Sequence, residues 1–182
     1  MDQAIIGGMS MGGPITFEMY QQAPDRFRGM ILIDTNAAAA PPFEAGQWRG
    51  ADEMITMMGS VEAILPLLLP TMLTGATRQD EPDLVEFLSN VVLSASTPAA
   101  LGGARALAGR EAYTEVLGTI EVPTLVLVGA EDALYSFEIS TMMQEAISDS
   151  ELVVIPGAAH AAILEAADEA NQAILDWAGG IA

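Results

Sequence analysis

The stretch Ala4-Ile5-Ile6-Gly7-Gly8-Met9-Ser10-Met11-Gly12-Gly13-Pro14-Ile15-Thr16-Phe17 decides how this chain folds. An apolar, β-type run leads into Gly8-Met9-Ser10-Met11-Gly12, and a helical pattern continues through Glu18-Met19-Tyr20. The pentapeptide G-x-S-x-G therefore lies at a strand-to-helix turn, the context in which a serine is presented as a nucleophile. Such a turn is sharp, and a Cβ at Gly8 or Gly12 is expected to crowd the adjoining strand or helix. Ser10 is then held out at the carboxyl end of the strand. The first-turn N–H groups of the helix lack intrahelical partners, so the positive end of its dipole lies where an oxyanion forms. Pro14 fits the first turn, where a missing N–H removes no helical bond.

Two more residues belong on the same rim. The β-branched run Val122-Pro123-Thr124-Leu125-Val126-Leu127-Val128-Gly129 reads as a buried parallel strand and ends in Ala130-Glu131-Asp132. A second run, Leu152-Val153-Val154-Ile155, is followed by Pro156-Gly157-Ala158-Ala159-His160, which places the only histidine in a loop after that strand. Serine, aspartate and histidine follow one another in the chain order of one class of hydrolytic triads.

Each type suits one role. Ser10 needs a base that titrates near neutrality, and in a cysteine-free chain that base is His160. Asp132 would fix the imidazole tautomer and stabilise the imidazolium. The backbone N–H of Met11 would supply one oxyanion donor. Glu131 and Asp34, the latter closing Met30-Ile31-Leu32-Ile33-Asp34, are rival acids and rank below Asp132. A turn histidine bonded to backbone and a helix-capping aspartate are the ordinary roles of such residues. Type, order and strand-end placement together point to the reactive roles instead.

The chain resembles the α/β-hydrolases, in the bacterial carboxylesterase and enol-lactonase-like branch with a helical cap. The resemblance is carried by Gly7 to Gly13, Ala23-Pro24-Asp25-Arg26-Phe27-Arg28-Gly29-Met30-Ile31-Leu32-Ile33-Asp34-Thr35, Val122 to Leu134 and Val153 to His160. It departs from the family pattern at Ala159, where glycine is frequent, and at Pro14, where a bulky residue is frequent; neither change removes a reactive group. In the proteins it is similar to, four strands and two helices precede the elbow, including the loop that gives the second oxyanion N–H. The resemblance thus implies the carboxyl-terminal part of a hydrolase, beginning at the nucleophile strand.

The 182 residues are 51% hydrophobic, with mean hydropathy +0.36, enough to bury a core in one domain with an insertion. Against 25 acidic residues stand 6 arginines and no lysine, a net charge of -19 that repels nucleic acid and anionic membrane surfaces. The absence of cysteine removes disulfides and thiolate catalysis, and a single histidine argues against a catalytic zinc. No cofactor is expected. With no basic n-region or long apolar h-region at the amino terminus, the chain is expected in the cytoplasm. The apolar stretch Ala63 to Leu73 is short and broken by Pro66 and Pro70, so it reads as buried cap structure.

The expected order is a strand over 3–7, a helix over 12–23 and a strand over 29–34. A helical cap over 36–118 follows, then a strand over 122–129, a helix over 136–147, a strand over 151–155 and a helix over 162–178. The fold class is α/β: a reduced α/β-hydrolase of about four parallel strands, with 1–35 and 119–182 as core. Met57, Met58 and Leu68 are weak candidates for substrate contact, because thioethers and leucines adapt to an acyl chain. The expected activity is cleavage of small carboxylic esters or lactones through Ser10, His160 and Asp132. A silent fragment acting as a scaffold, and an acyltransferase or perhydrolase using the same triad, are the alternatives. An unpaired edge at residues 2–7 also predicts a homo-oligomer, most simply a dimer.

Overall fold

The computed structural model describes residues 3–181. Residues 1, 2 and 182, which the expected core and dimer edge include, lie outside the described residues. Four strands form one sheet in the order β1 (Ala4–Met9), β2 (Phe27–Ile33), β3 (Thr124–Gly129) and β4 (Ser150–Ile155), every adjacent pair parallel. Parallel neighbours need crossover connections. Helix α1 (Gly12–Gln22) and a short 3-10 turn at Pro24–Arg26 join β1 to β2. Helix α8 (Phe137–Ala146) joins β3 to β4.

By contact the chain divides into two compact units, one of residues 1–37 and 113–182, the other of residues 38–112. The second is inserted between β2 and β3 and is wholly helical: α2 (Pro42–Met58), α3 (Leu65–Met72), α4 (Gly75–Asp80), α5 (Pro82–Leu93) and α6 (Thr97–Ala108), with a 3-10 turn at Val61–Ile64. Residues 113–118, expected in the insertion, pack with the sheet unit and include α7 (Thr114–Leu117).

Sheet geometry follows the side-chain period of two. Val126, Met30 and Leu32 join Phe17, Tyr20, Met143 and Ile147 on the face covered by α1 and α8. Leu127, Ile33, Val153 and Ile155 meet Ala162, Ala170 and Ile174 on the other, under α9 (Ala162–Glu165) and α10 (Ala167–Gly179). All six residues of β3 are buried, which is why its sequence is a continuous apolar run without alternation. Each fully buried Leu or Val there contributes about 1.5–3 kcal/mol.

The helix expected over 162–178 is broken at Ala166 (φ -132°, ψ 60°) into α9 and α10. Its first turn is held by the loop carrying His160, because Glu165 Oε2 accepts the Ala159 N–H at 2.6 Å. In the helical unit, α2 ends at Gly59, whose φ of 70° suits glycine and whose N–H donates to Ile55 O at 2.8 Å. Helices α2 and α6 share a core of Ala51, Ile55, Val61 and Ile64 with Trp48, Ala100 and Leu101. No single helix among the described residues is long and apolar enough to cross a membrane.

Candidate active site

Strand β1 runs on to Met9, and the chain turns at once into α1, leaving Ser10 with φ 51°. For a residue with a Cβ this left-handed conformation costs about 1–2 kcal/mol, so something must hold it. Ser10 N–H donates to Ile33 O at 3.0 Å, and Ser10 O accepts both the Gly13 N–H at 3.0 Å and the Thr35 hydroxyl at 2.6 Å.

The glycines of the elbow divide differently from expectation. A Cβ at Gly8 would fall 2.1 Å from Gly12 O, so strand and helix approach there as the motif requires. A Cβ at Gly12 would meet nothing within 4 Å, which corrects the expectation of crowding at that flank. The helix-side requirement falls one residue later, since a Cβ at Gly13 would lie 2.0 Å from Thr35 Oγ1. The close neighbour lies just past the end of β2, and only the fold brings it there.

Asp132 follows β3 in a tight turn. Its Oδ1 accepts the N–H groups of Leu134 at 2.8 Å and Tyr135 at 3.0 Å, leaving Oδ2 to accept His160 Nδ1–H at 2.9 Å. A carboxylate only accepts, so the proton lies on Nδ1 and the lone pair of Nε2 faces Ser10. Ser10 Oγ–H donates to Nε2 at 2.8 Å. His160 is buried, and the Tyr135 ring packs edge-on against it at 5.5 Å. The histidine loop closes over the end of β3: Glu131 N–H donates to Ala158 O at 2.9 Å, and a Cβ at Gly129 would sit 2.1 Å from Ala159 O.

The structure therefore brings Ser10, His160 and Asp132 into one hydrogen-bonded chain and keeps the rival acids out of it. Glu131 is exposed. Asp34 is fully buried beside the triad and bonds backbone N–H groups of Gly129 and Ala162 rather than the imidazole. Burial pushes its carboxyl up from an ordinary 3.8 to about 7, against the opposing pull of the Gly129 N–H and of His160. Met11 stands at the N-cap of α1, where helix N–H groups have no helical acceptor. Met57 and Met58 are exposed and Leu68 is half-buried, all in the helical unit.

Sequence reasoning missed the parts played by Thr35 and Gly13 and read Asp34 only as a rival acid. The available signal was the pair Asp34-Thr35 closing an apolar strand, polar residues where the strand's own pattern asks for none.

A parallel sheet flanked by helices, a serine on a strained strand-to-helix turn, and an acid after β3 and a histidine after β4 define an α/β-hydrolase. The family model described as serine aminopeptidase, S33, matches residues 2–167, and the chain belongs to that family, in the carboxylesterase and enol-lactonase-like branch of the superfamily. It is 29% identical to 3-oxoadipate enol-lactonase 2 of Acinetobacter baylyi over 94% of this chain and 62% of that protein. To the pimeloyl-[acyl-carrier protein] methyl ester esterase of Yersinia enterocolitica it is 28% identical, over 97% of this chain and 69% of that one. A thermophilic esterase from Thermogutta terrifontis superposes with a TM-score of 0.91 at 31% identity, covering 99% of this chain and 66% of that chain. The chain thus spans about two thirds of the length of the curated relatives it matches.

Proposed function

We propose that this chain carries the acyl-transfer centre of a serine hydrolase that cleaves small carboxylic esters or lactones. The observation that carries the reading is the unbroken chain of hydrogen bonds from Ser10 Oγ through His160 to Asp132, ending in a carboxylate already oriented by two backbone N–H groups. The names of the relatives, an enol-lactonase and several esterases, support the substrate class.

In this mechanism Ser10 Oγ attacks the carbonyl carbon as its proton passes to His160 Nε2, and Asp132 stabilises the imidazolium. The tetrahedral oxyanion is met by the Met11 N–H and the amino-terminal field of α1. His160 then returns the proton to the departing alkoxide, leaving an acyl ester on Ser10. A water, deprotonated by His160, attacks that ester; collapse releases the acid and restores Ser10. Serine and histidine move every proton, so the chemistry asks for no cofactor. Met57, Met58 and Leu68 are proposed acyl-side contacts on their chemistry alone. A small neutral substrate suits a chain of net charge -19, which disfavours nucleic acid and anionic membranes as partners.

The test is a p-nitrophenyl ester chain-length series with the Ser10→Ala variant alongside, together with fluorophosphonate labelling. Turnover and stoichiometric labelling at Ser10 are expected. A protein that neither hydrolyses nor labels is a silent scaffold, and one that prefers peroxide or an alcohol to water as acyl acceptor is a perhydrolase or acyltransferase.

A further inference from the structure

We propose that Ile33, Asp34 and Thr35, the residues closing β2, form the element that sets the three reactive segments in register, with Asp34 as its positioning residue. The inference rests on the acyl-transfer reading of the site.

Each reactive segment is tied to this tripeptide. The elbow is held at both backbone groups of Ser10, its N–H donating to Ile33 O and its carbonyl accepting from Thr35 Oγ1. The acid turn is held where it leaves the sheet: Gly129, three residues before Asp132, donates its N–H to Asp34 Oδ1 at 2.8 Å. The histidine loop is held just after His160, where the Ala162 N–H donates to Asp34 Oδ2 at 3.2 Å. Asp34 is itself anchored through its own N–H, which donates to Leu127 O at 2.9 Å. One buried carboxylate therefore spans the two segments that carry the base and its acid, and its neighbours hold the nucleophile.

The residue type follows from this geometry. Two N–H donors converge on two different oxygens, a demand that a carboxylate meets and an amide does not. Asparagine would offer one oxygen and turn its NH2 against the second N–H, leaving two donors face to face. An apolar residue would leave both N–H groups buried without acceptors. Burial of the carboxyl is unfavourable enough to raise its pKa to about 7, with His160 and Asp132 the ionisable groups that act on it. Its backbone is also held at φ 43°; Ser10 and Asp34 are the two non-glycine residues of positive φ among those described. Strain of this kind persists where surrounding bonds over-determine it, and it collects at functional sites. Asp34 touches no reacting atom, so its effect passes through the placement of His160 and Asp132.

The single histidine gives a site-specific readout. In 15N-labelled protein, the imidazole nitrogens and the proton held between Nδ1 and Asp132 report the placement of His160 alone. For Asp34→Asn we expect a retained fold by circular dichroism, kcat for p-nitrophenyl acetate lowered roughly 10- to 100-fold with KM little changed, and an Nδ1 proton that exchanges faster with solvent. Thr35→Val, which removes the hydroxyl bonded to Ser10 O, should slow fluorophosphonate labelling while leaving the His160 spectrum as it is. A folded Asp34→Asn with wild-type kcat and an unaltered His160 spectrum overturns the proposal. Should Asp34→Asn fail to fold, Thr35→Val decides, and labelling at the wild-type rate overturns it. If the wild-type chain itself neither turns over nor labels, the acyl-transfer reading fails; the comparison of His160 spectra still tests Asp34, and identical spectra reject it.

Discussion

Ser10 and His160 are 150 residues apart in the chain, and Ser10 Oγ lies 2.8 Å from His160 Nε2. The contact is made because both follow parallel strands of one sheet, whose carboxyl ends share a rim. It joins an imidazole nitrogen to a hydroxyl whose backbone is strained.

That strain makes the nucleophile position separable into chemistry and stability. Ser10→Ala and Ser10→Gly should both abolish covalent turnover, leaving a residual rate roughly 10³-fold above water or less from binding and oxyanion contacts. Ser10→Gly should be more stable than Ser10→Ala by about 1 kcal/mol, because glycine adopts φ 51° without a Cβ penalty. Urea denaturation of the two variants decides it, and a glycine variant no more stable than the alanine one refutes stored strain at the elbow.

Asp34 should leave a mark on stability against pH. With its carboxyl near 7 in the folded chain and 3.8 as the ordinary value, the folded state holds a proton that the unfolded chain releases. The resulting stabilisation is fully present below about pH 3.8, fades as pH rises, and is gone above about pH 7. Melting temperature should therefore fall more steeply between these limits in the wild type than in Asp34→Asn. Parallel curves would mean that Asp34 is ionised throughout.

The helical unit has its own buried ion pair. Arg110 donates through Nη1 to Glu44 Oε1 at 2.8 Å and through Nη2 to Oε2 at 3.0 Å, while its Nε–H donates to Ala38 O at 2.9 Å, joining the two ends of the insertion. Arg110→Ala strands a buried carboxylate and should destabilise by about 3–5 kcal/mol. A Glu44→Gln, Arg110→Met double variant should lose much less. An Arg110→Ala midpoint in urea equal to wild type would show the pair to be dispensable.

A chain of net charge -19 repels itself when compact, and salt screens that repulsion over a Debye length of about 10 Å at 0.1 M. Melting temperature should rise with moderate NaCl. A flat or falling response would assign stability to packing alone.

The 182-residue chain is also expected to self-associate. Strand β1 is an edge of the described sheet, and Ile15 and Met19 of α1 are exposed. A row of unpaired strand groups beside apolar side chains is a template for a second copy. Light scattering across a dilution series should show a dimer that dissociates on dilution, whereas a monomer at every concentration rules this out.

The sequence alone was enough for the elements of the sheet and for the candidates of the site. The apolar run at 122–129, the elbow at Gly8 to Gly12 and the lone histidine after Leu152 to Ile155 are local signals, each readable within a dozen residues because strand period, turn chemistry and residue type are local properties. The interruption of the last helix at Ala166 was not readable, since Ala162 to Ala178 has a continuous helical pattern; in the structure the turn before the break is bonded to Asp34 and Ala159, both outside the helix. The same reason explains Gly12 and Gly13. The motif names the first, but the close approach of Thr35 selects the second, and that neighbour comes from the segment that follows β2. The sequence ranked Asp132 above its rivals; what only tertiary structure decided is the part each acid plays. Asp132, Glu131 and Asp34 all close strands on one rim, and only the paths of the loops determine that Asp132 reaches the imidazole, Glu131 faces solvent, and Asp34 turns inward to hold both loops, because a carboxylate's role is set by which donors converge on it in space.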